Sequence, residues 1–137
     1  MAEQCGLTTP LVIKDLQSGY VGQTGTVWTI ESDCSYSVAR QIGLKIGEPH
    51  KRGRLNGDQA QRLTALIDRA DLVRLPNQLG GVPQPNARQI TVVYARNQST
   101  LTLPPGNEVA VFQEVGRDPR ATHVLELMRG LKDMVGG

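Results

Sequence analysis

The chain has 137 residues, 39% of them hydrophobic and 4% aromatic, with a formal net charge of +2 and a mean hydropathy of −0.29. That is enough chain to bury a core without cross-links, so one domain over residues 1–137 is expected, its core resting on Leu, Val and Ile. The basic excess is too slight and the aromatics too few for a nucleic-acid surface, and no stretch is apolar for long enough to span a membrane.

Residues 1–10, MAEQCGLTTP, carry neither the basic start nor the apolar run of a secretory signal. They are expected to form a flexible arm of a cytoplasmic protein, with export after signal removal as the alternative. Leu11–Leu16 (LVIKDL) reads as the first strand. QSGYVGQTG, with Gly19, Gly22 and Gly25, reads as a turn. Thr26–Glu31 and Ser35–Ile42 alternate and carry β-branched residues, so both read as strands, with Tyr36, Val38 and Ile42 on one face. Gly43–Pro49 reads as a hairpin loop and His50–Leu55 as a short returning strand.

Leu55–Pro76 holds the clearest helix. Asn56 can cap it, and Gln59 can reach back to complete a capping box. Ala60, Leu63, Leu66, Ile67, Ala70 and Val73 recur at three- and four-residue steps, and Pro76 is expected to end the helix. A Gly- and Pro-rich loop, NQLGGVPQPNA, follows. Arg88–Ala95 and Ser99–Leu103 read as a hairpin turning at Asn97–Gln98. Residues 107–118 read as irregular or briefly helical. Pro119–Met134 reads as a final helix capped by Asp118, and 135–137 are expected to fray. The order strands, helix, hairpin, helix predicts an α+β fold: an antiparallel sheet of hairpins or a meander, with two helices packed on one face.

The chemistry-bearing residues form no catalytic motif. No Gly-x-Ser-x-Gly elbow holds a serine, and no Gly-Lys-Ser/Thr follows the glycine-rich turn, which leads into a strand rather than a helix. His50 and His123 lack ligand spacing, and two cysteines cannot make a structural zinc site alone. The expectation is therefore a non-enzymatic protein with no metal and no cofactor. Cys5 and Cys34 read first as two free thiols. Pairing of the first two strands would bring Cys5 within a few residues of the position opposite Cys34, so a disulfide is the alternative.

His50-Lys51-Arg52-Gly53-Arg54 is the one basic cluster, read as a solvated strand edge ahead of a phosphate or acidic-partner contact. Asn97-Gln98-Ser99 matches a glycosylation acceptor, read as chance. At the expected tip of the first hairpin, Tyr20 either anchors a partner or folds back onto the sheet. Gly80-Gly81-Val82-Pro83 and Pro85-Asn86 form a second candidate rim or a plain connector.

Three pieces together resemble the small bacterial proteins of the emfourin type, inhibitors of thermolysin-like metalloproteases. They are the turn Ser18-Gly19-Tyr20-Val21-Gly22, the helix from Leu55 through Ala70-Asp71-Leu72 to Leu75-Pro76, and the hairpin Gln89–Leu103. The likeness covers about residues 11–134; the stretch Cys34–His50 and the 76–86 loop are additions to the compact pattern. It implies a protein that plugs a protease cleft with Ser18, Gly19, Tyr20, Val21 and Gly22, Tyr20 serving as anchor. The competing expectation is an interaction module of the bacterial cell envelope with no protease partner. The oligomeric state has no signature in the sequence.

Overall fold

The computed structural model describes residues 7, 9–19, 22–80, 87–103 and 118–136. Strands β1 (Leu11–Gly19), β2 (Gly22–Ile30) and β3 (Ser35–Ile42) form an antiparallel meander. β4 (Lys45–Ile46) and β5 (Lys51–Arg54) both return along β3. Helix α1 (Gly57–Ala70), a 3-10 turn (Leu72–Arg74) and β6 (Gln78–Gly80) lead to the hairpin β7 (Arg88–Tyr94) and β8 (Asn97–Leu103), and then to helix α2 (Pro119–Val135). Among the described residues the sheet has eight strands in the order β4-β3-β2-β1-β7-β8-β6, with β5 also on β3. Every pairing is antiparallel except β6 with β8. The predicted α+β class is the one found, with α1 and α2 packing on the same face.

The period-2 pattern explains which face they cover. Ile13 lies opposite both Trp28 and Val92, and Trp28 opposite Val38. With Leu11, Ile30, Ile90, Leu101 and Leu103 these side chains form one continuous core with Leu63 of α1 and Val124, Leu127, Met128 and Leu131 of α2. Each fully buried aliphatic contributes about 1.5–3 kcal/mol. Leu16, Val27 and Ala39 alternate to the other face; they are buried too but stand outside that core.

α1 begins as expected. The Asn56 side chain accepts from Gln59 N at 2.8 Å, and Gln59 Oε1 accepts from Asn56 N at 3.0 Å. It ends sooner than Pro76. Asp71 adopts a left-handed conformation (φ 50°) and closes the helix on Ile67 O, and the 3-10 turn follows. The break rotates Val73 off the apolar stripe, leaving it exposed. α2 starts at Asp118, whose Oδ1 accepts from Arg120 N at 3.0 Å, with Pro119 in the first turn.

The far end of α2 is tied down as far as Gly136, the last described residue. Trp28 Nε1 donates to Gly136 O at 2.7 Å, Lys51 Nζ to Val135 O at 2.5 Å and Gln59 Nε2 to Met134 O at 3.4 Å. These are carbonyls a helix leaves unpaired, and the lysine charge meets the negative end of the dipole. Residues of the expected arm that are described, 7 and 9–10, also make contacts. Leu7 is buried in the core, and Thr9 Oγ1 accepts from Ala95 N at 3.0 Å.

The remaining differences are local. The first two strands run on through the glycines to Gly19 and Gly22, leaving a shorter turn than expected. Gly25 belongs in the ladder because a Cβ there would overlap the Asp15 carbonyl oxygen. The supposed loops 43–49 and 77–87 contain β4 and β6. The second hairpin turns at Ala95–Arg96, with φ of 51° and 70°, rather than at Asn97–Gln98. Residues 107–117 lie outside the described residues.

Candidate functional site

The β1–β2 ladder runs unbroken from Leu11↔Ile30 to Gly19↔Gly22. Of the five candidate residues at its tip, Ser18, Gly19 and Gly22 are described; Tyr20 and Val21 lie outside the described residues. The hairpin root is held on both sides. β3 pairs with β2 as far as Thr24↔Ile42, and β7 pairs with β1 as far as Gln17↔Arg88. Ser18 N donates to Ala87 O at 3.1 Å, which extends the β7 contact toward the tip. Arg88 grips Asp15 with two bonds of 2.8 and 2.7 Å, a charge-assisted fork pinning β1 to the start of β7. On the other face Gln23 Nε2 donates across β1 to Gln89 Oε1 at 2.8 Å.

Beside this tip stands a second one, inside the stretch 43–49 expected as a hairpin loop. Ile42 pairs with Lys45, so Gly43 and Leu44 form a two-residue turn. Gly43 has φ 62° while Leu44 does not have positive φ, the pattern of a II′ hairpin with glycine first. Gly43 N donates to Gln23 O at 2.7 Å, tying this turn to β2. Gln41 Nε2 donates to Gly43 O at 2.9 Å, while the buried Gln41 Oε1 has no hydrogen-bond partner among the described residues. The relative exposures of Ile42, Leu44 and Ile46 are 61%, 101% and 46%. The signal was in the sequence as Gly-Leu-Lys between two isoleucines, a glycine-first turn flanked by strand formers.

The basic cluster divides. β5 is an edge strand on which Arg52 is exposed and Arg54 pairs with Asp33 at 3.5 Å. Lys51 is committed to the end of α2. Between β4 and β5 the edge is interrupted: Gly47 N donates to Arg40 O and His50 N to Val38 O, with Glu48 and Pro49 between them. A proline and cations on an edge discourage further strand pairing.

At the opposite end of the sheet a groove of about 230 Å³ is lined by Leu7, Ile67, Leu72 and Val73, with Thr64, Asp68, Asp71 and Tyr94. Among the described residues, no group of three or more His, Cys, Asp or Glu is placed to hold a metal. Asn97 does not present a free amide: Nδ2 donates to Leu72 O at 2.7 Å and Leu75 O at 3.0 Å, and Ser99 is buried. Of the second candidate rim, Gly80 closes β6, while 81–86 lie outside the described residues.

Cys34 is not a free thiol. It is fully buried and disulfide-bonded. The chain has one other cysteine, Cys5, which lies outside the described residues. Cys34 occupies the β2–β3 turn with φ 73°, and the next-door Asp33 holds that turn. Asp33 Oδ1 accepts from Ser35 Oγ at 2.6 Å and Ser35 N at 3.0 Å. The Ser35 hydroxyl first, then its amide and the Arg54 charge, hold the Asp33 carboxyl below the ordinary value.

No model of a known protein family matches the chain, and none of the curated proteins compared with it matches.

Proposed function

We propose that the chain is a non-enzymatic protein-binding domain that inhibits a thermolysin-like metalloprotease. The β1–β2 tip, Ser18, Gly19, Tyr20, Val21 and Gly22, would lie across the protease cleft and block it competitively, with Tyr20 as anchor. The observation that carries this reading is the bracing of the hairpin: two nine-residue strands, each paired on its outer side to a further strand almost to the tip. An element so held loses little conformational freedom when it docks, which favours affinity. The family resemblance of the tip and helix supplies the target class.

The test is to mix the pure protein with thermolysin and follow cleavage of a peptide substrate. Competitive inhibition that weakens in Tyr20→Ala is expected. No inhibition at micromolar excess removes the proposal for that target.

One observation favours a second reading, an interaction module of the cell envelope with no protease partner. The Cys34 disulfide supports an exported setting over a reducing cytoplasm. An export signal in the full gene, oxidised cysteines in native material and no inhibition of metalloproteases would together select it.

A further inference from the structure

We propose that the β3–β4 hairpin, Ile42–Ile46, is a second insertion element, entering an apolar cleft with an acidic rim on the same protein partner. This rests on the cleft-filling reading of the β1–β2 tip.

Four large hydrophobic residues are exposed among those described: Ile42, Leu44, Ile46 and Val73. Three of them fall on this one short hairpin. Leu44 stands at the turn with its side chain wholly in solvent, where it does nothing for the fold. Its neighbours point opposite ways. Ile42 lies opposite Thr24 and Lys45 on the helix-bearing side of the sheet, whereas Ile46 lies opposite Gln41 on the other side. A flat partner surface would cover one side only. Apolar groups on both sides and at the end describe a wedge, and the surface that buries a wedge is a cleft.

Charge narrows the partner further. Arg40 precedes Ile42 by one step on the same side of the strand, and Lys45 lies directly across from Ile42. Both are exposed, and no ion pair engages either among the described residues. From Arg40 to Arg54 the chain carries a single carboxylate, Glu48. Cations flanking an apolar wedge call for carboxylates around the mouth of the cleft.

The two tips form one rim. Gly43 N donates to Gln23 O, and Gly43 Cα lies 3.6 Å from the position a Cβ of Gly22 would take. The turn is also tied to its own strand through Gln41. A lipid surface fits less well. Thr24 and Gln17 lie in register with Ile42, and Ser18 and Gln23 pair one step nearer the tip, so insertion of the wedge would drag their polar groups toward hydrocarbon. A protein cleft accepts such a mixed rim.

The decisive comparison is wild type against Leu44→Asp, using thermolysin and a peptide substrate. Leu44→Asp is expected to raise the inhibition constant at least about thirtyfold, the scale of a lost anchor residue. Its melting temperature should match wild type, because the side chain is fully exposed. Lys45→Glu should slow association, most clearly at low salt. A wild type that inhibits, with Leu44→Asp equally potent, overturns the hairpin's role and leaves the β1–β2 reading standing. A wild type that does not inhibit removes both. Two further results would also overturn the inference: a wild-type dimer that Leu44→Asp abolishes in sedimentation, or co-sedimentation with phosphatidylglycerol vesicles that requires Leu44.

Discussion

Asn97 sits in an Asn-x-Ser pattern, yet its amide serves two carbonyls of the 3-10 turn and its cap: Leu72 O, which also takes a long 3.4 Å bond from Leu75 N, and Leu75 O. Removing it leaves Leu72 O with only that long bond and takes the Asn97 donor from Leu75 O. Asn97→Ala should lower unfolding stability by roughly 1–3 kcal/mol, measured by chemical denaturation. Asp33 makes a pH-dependent contribution of defined sign. Its folded pKa is depressed, so the stabilisation is fully present above the ordinary 3.8 and is lost as the pH falls through the lower folded value. The melting temperature of Asp33→Asn should therefore lie below wild type at neutral pH, and the gap should close as the pH drops below 3.8. Neither role was visible in the sequence. The bonds of Asn97 span more than twenty positions, and those of Asp33 depend on a turn whose central Cys34 takes an unusual left-handed backbone.

At the scale of elements, the β7–β8 turn is the weakest local choice. Ala95 and Arg96 both have positive φ, which costs a non-glycine residue roughly 1–2 kcal/mol, and Asn-Gly suits such a turn far better. The double change Ala95→Asn with Arg96→Gly should raise the melting temperature, read by calorimetry, and leave the binding proposed at the other end of the sheet unaltered. The same mismatch hides the turn from the sequence: Asn97–Gln98, two residues on, carries the better turn signal, but Asn97 is needed as a hydrogen-bond donor to the neighbouring turn. Elements specified by adjacent residues were legible. The Asn56–Gln59 capping box and the Asp118–Pro119 start both stand where expected. Elements specified by distant ones were not. β6 is three residues long and exists because β8 offers it a parallel edge. The end of α1 was hidden because the residue that stops it is aspartate, not glycine. The full length of the first hairpin is masked by glycines that resemble turn residues, whereas Gly25 is there to let β1 come close.

Across the whole molecule, alternation and helical periodicity were enough to read the class of fold and the shared face of the helices. They could not show that the first strand would sit in mid-sheet. β1 joins β7 across a gap of more than seventy residues, and no local pattern encodes that pairing. Nor could they show that both hairpin tips would emerge together, which is a product of sheet order. Under the proposed inhibition of a protease, that central position has a consequence. Suppose the target cuts the chain between Tyr20 and Val21. The stub before the cut stays zipped to β7 as well as to β2, and the stub after it stays zipped to β3. The disulfide of Cys34 adds a covalent tether, because the one other cysteine, Cys5, lies on the far side of that cut. A nicked molecule should therefore remain folded and occupy the cleft like an intact one. It should run as a single band in a denaturing gel without reductant and as two bands with it. Single cleavage would leave a product that does not depart.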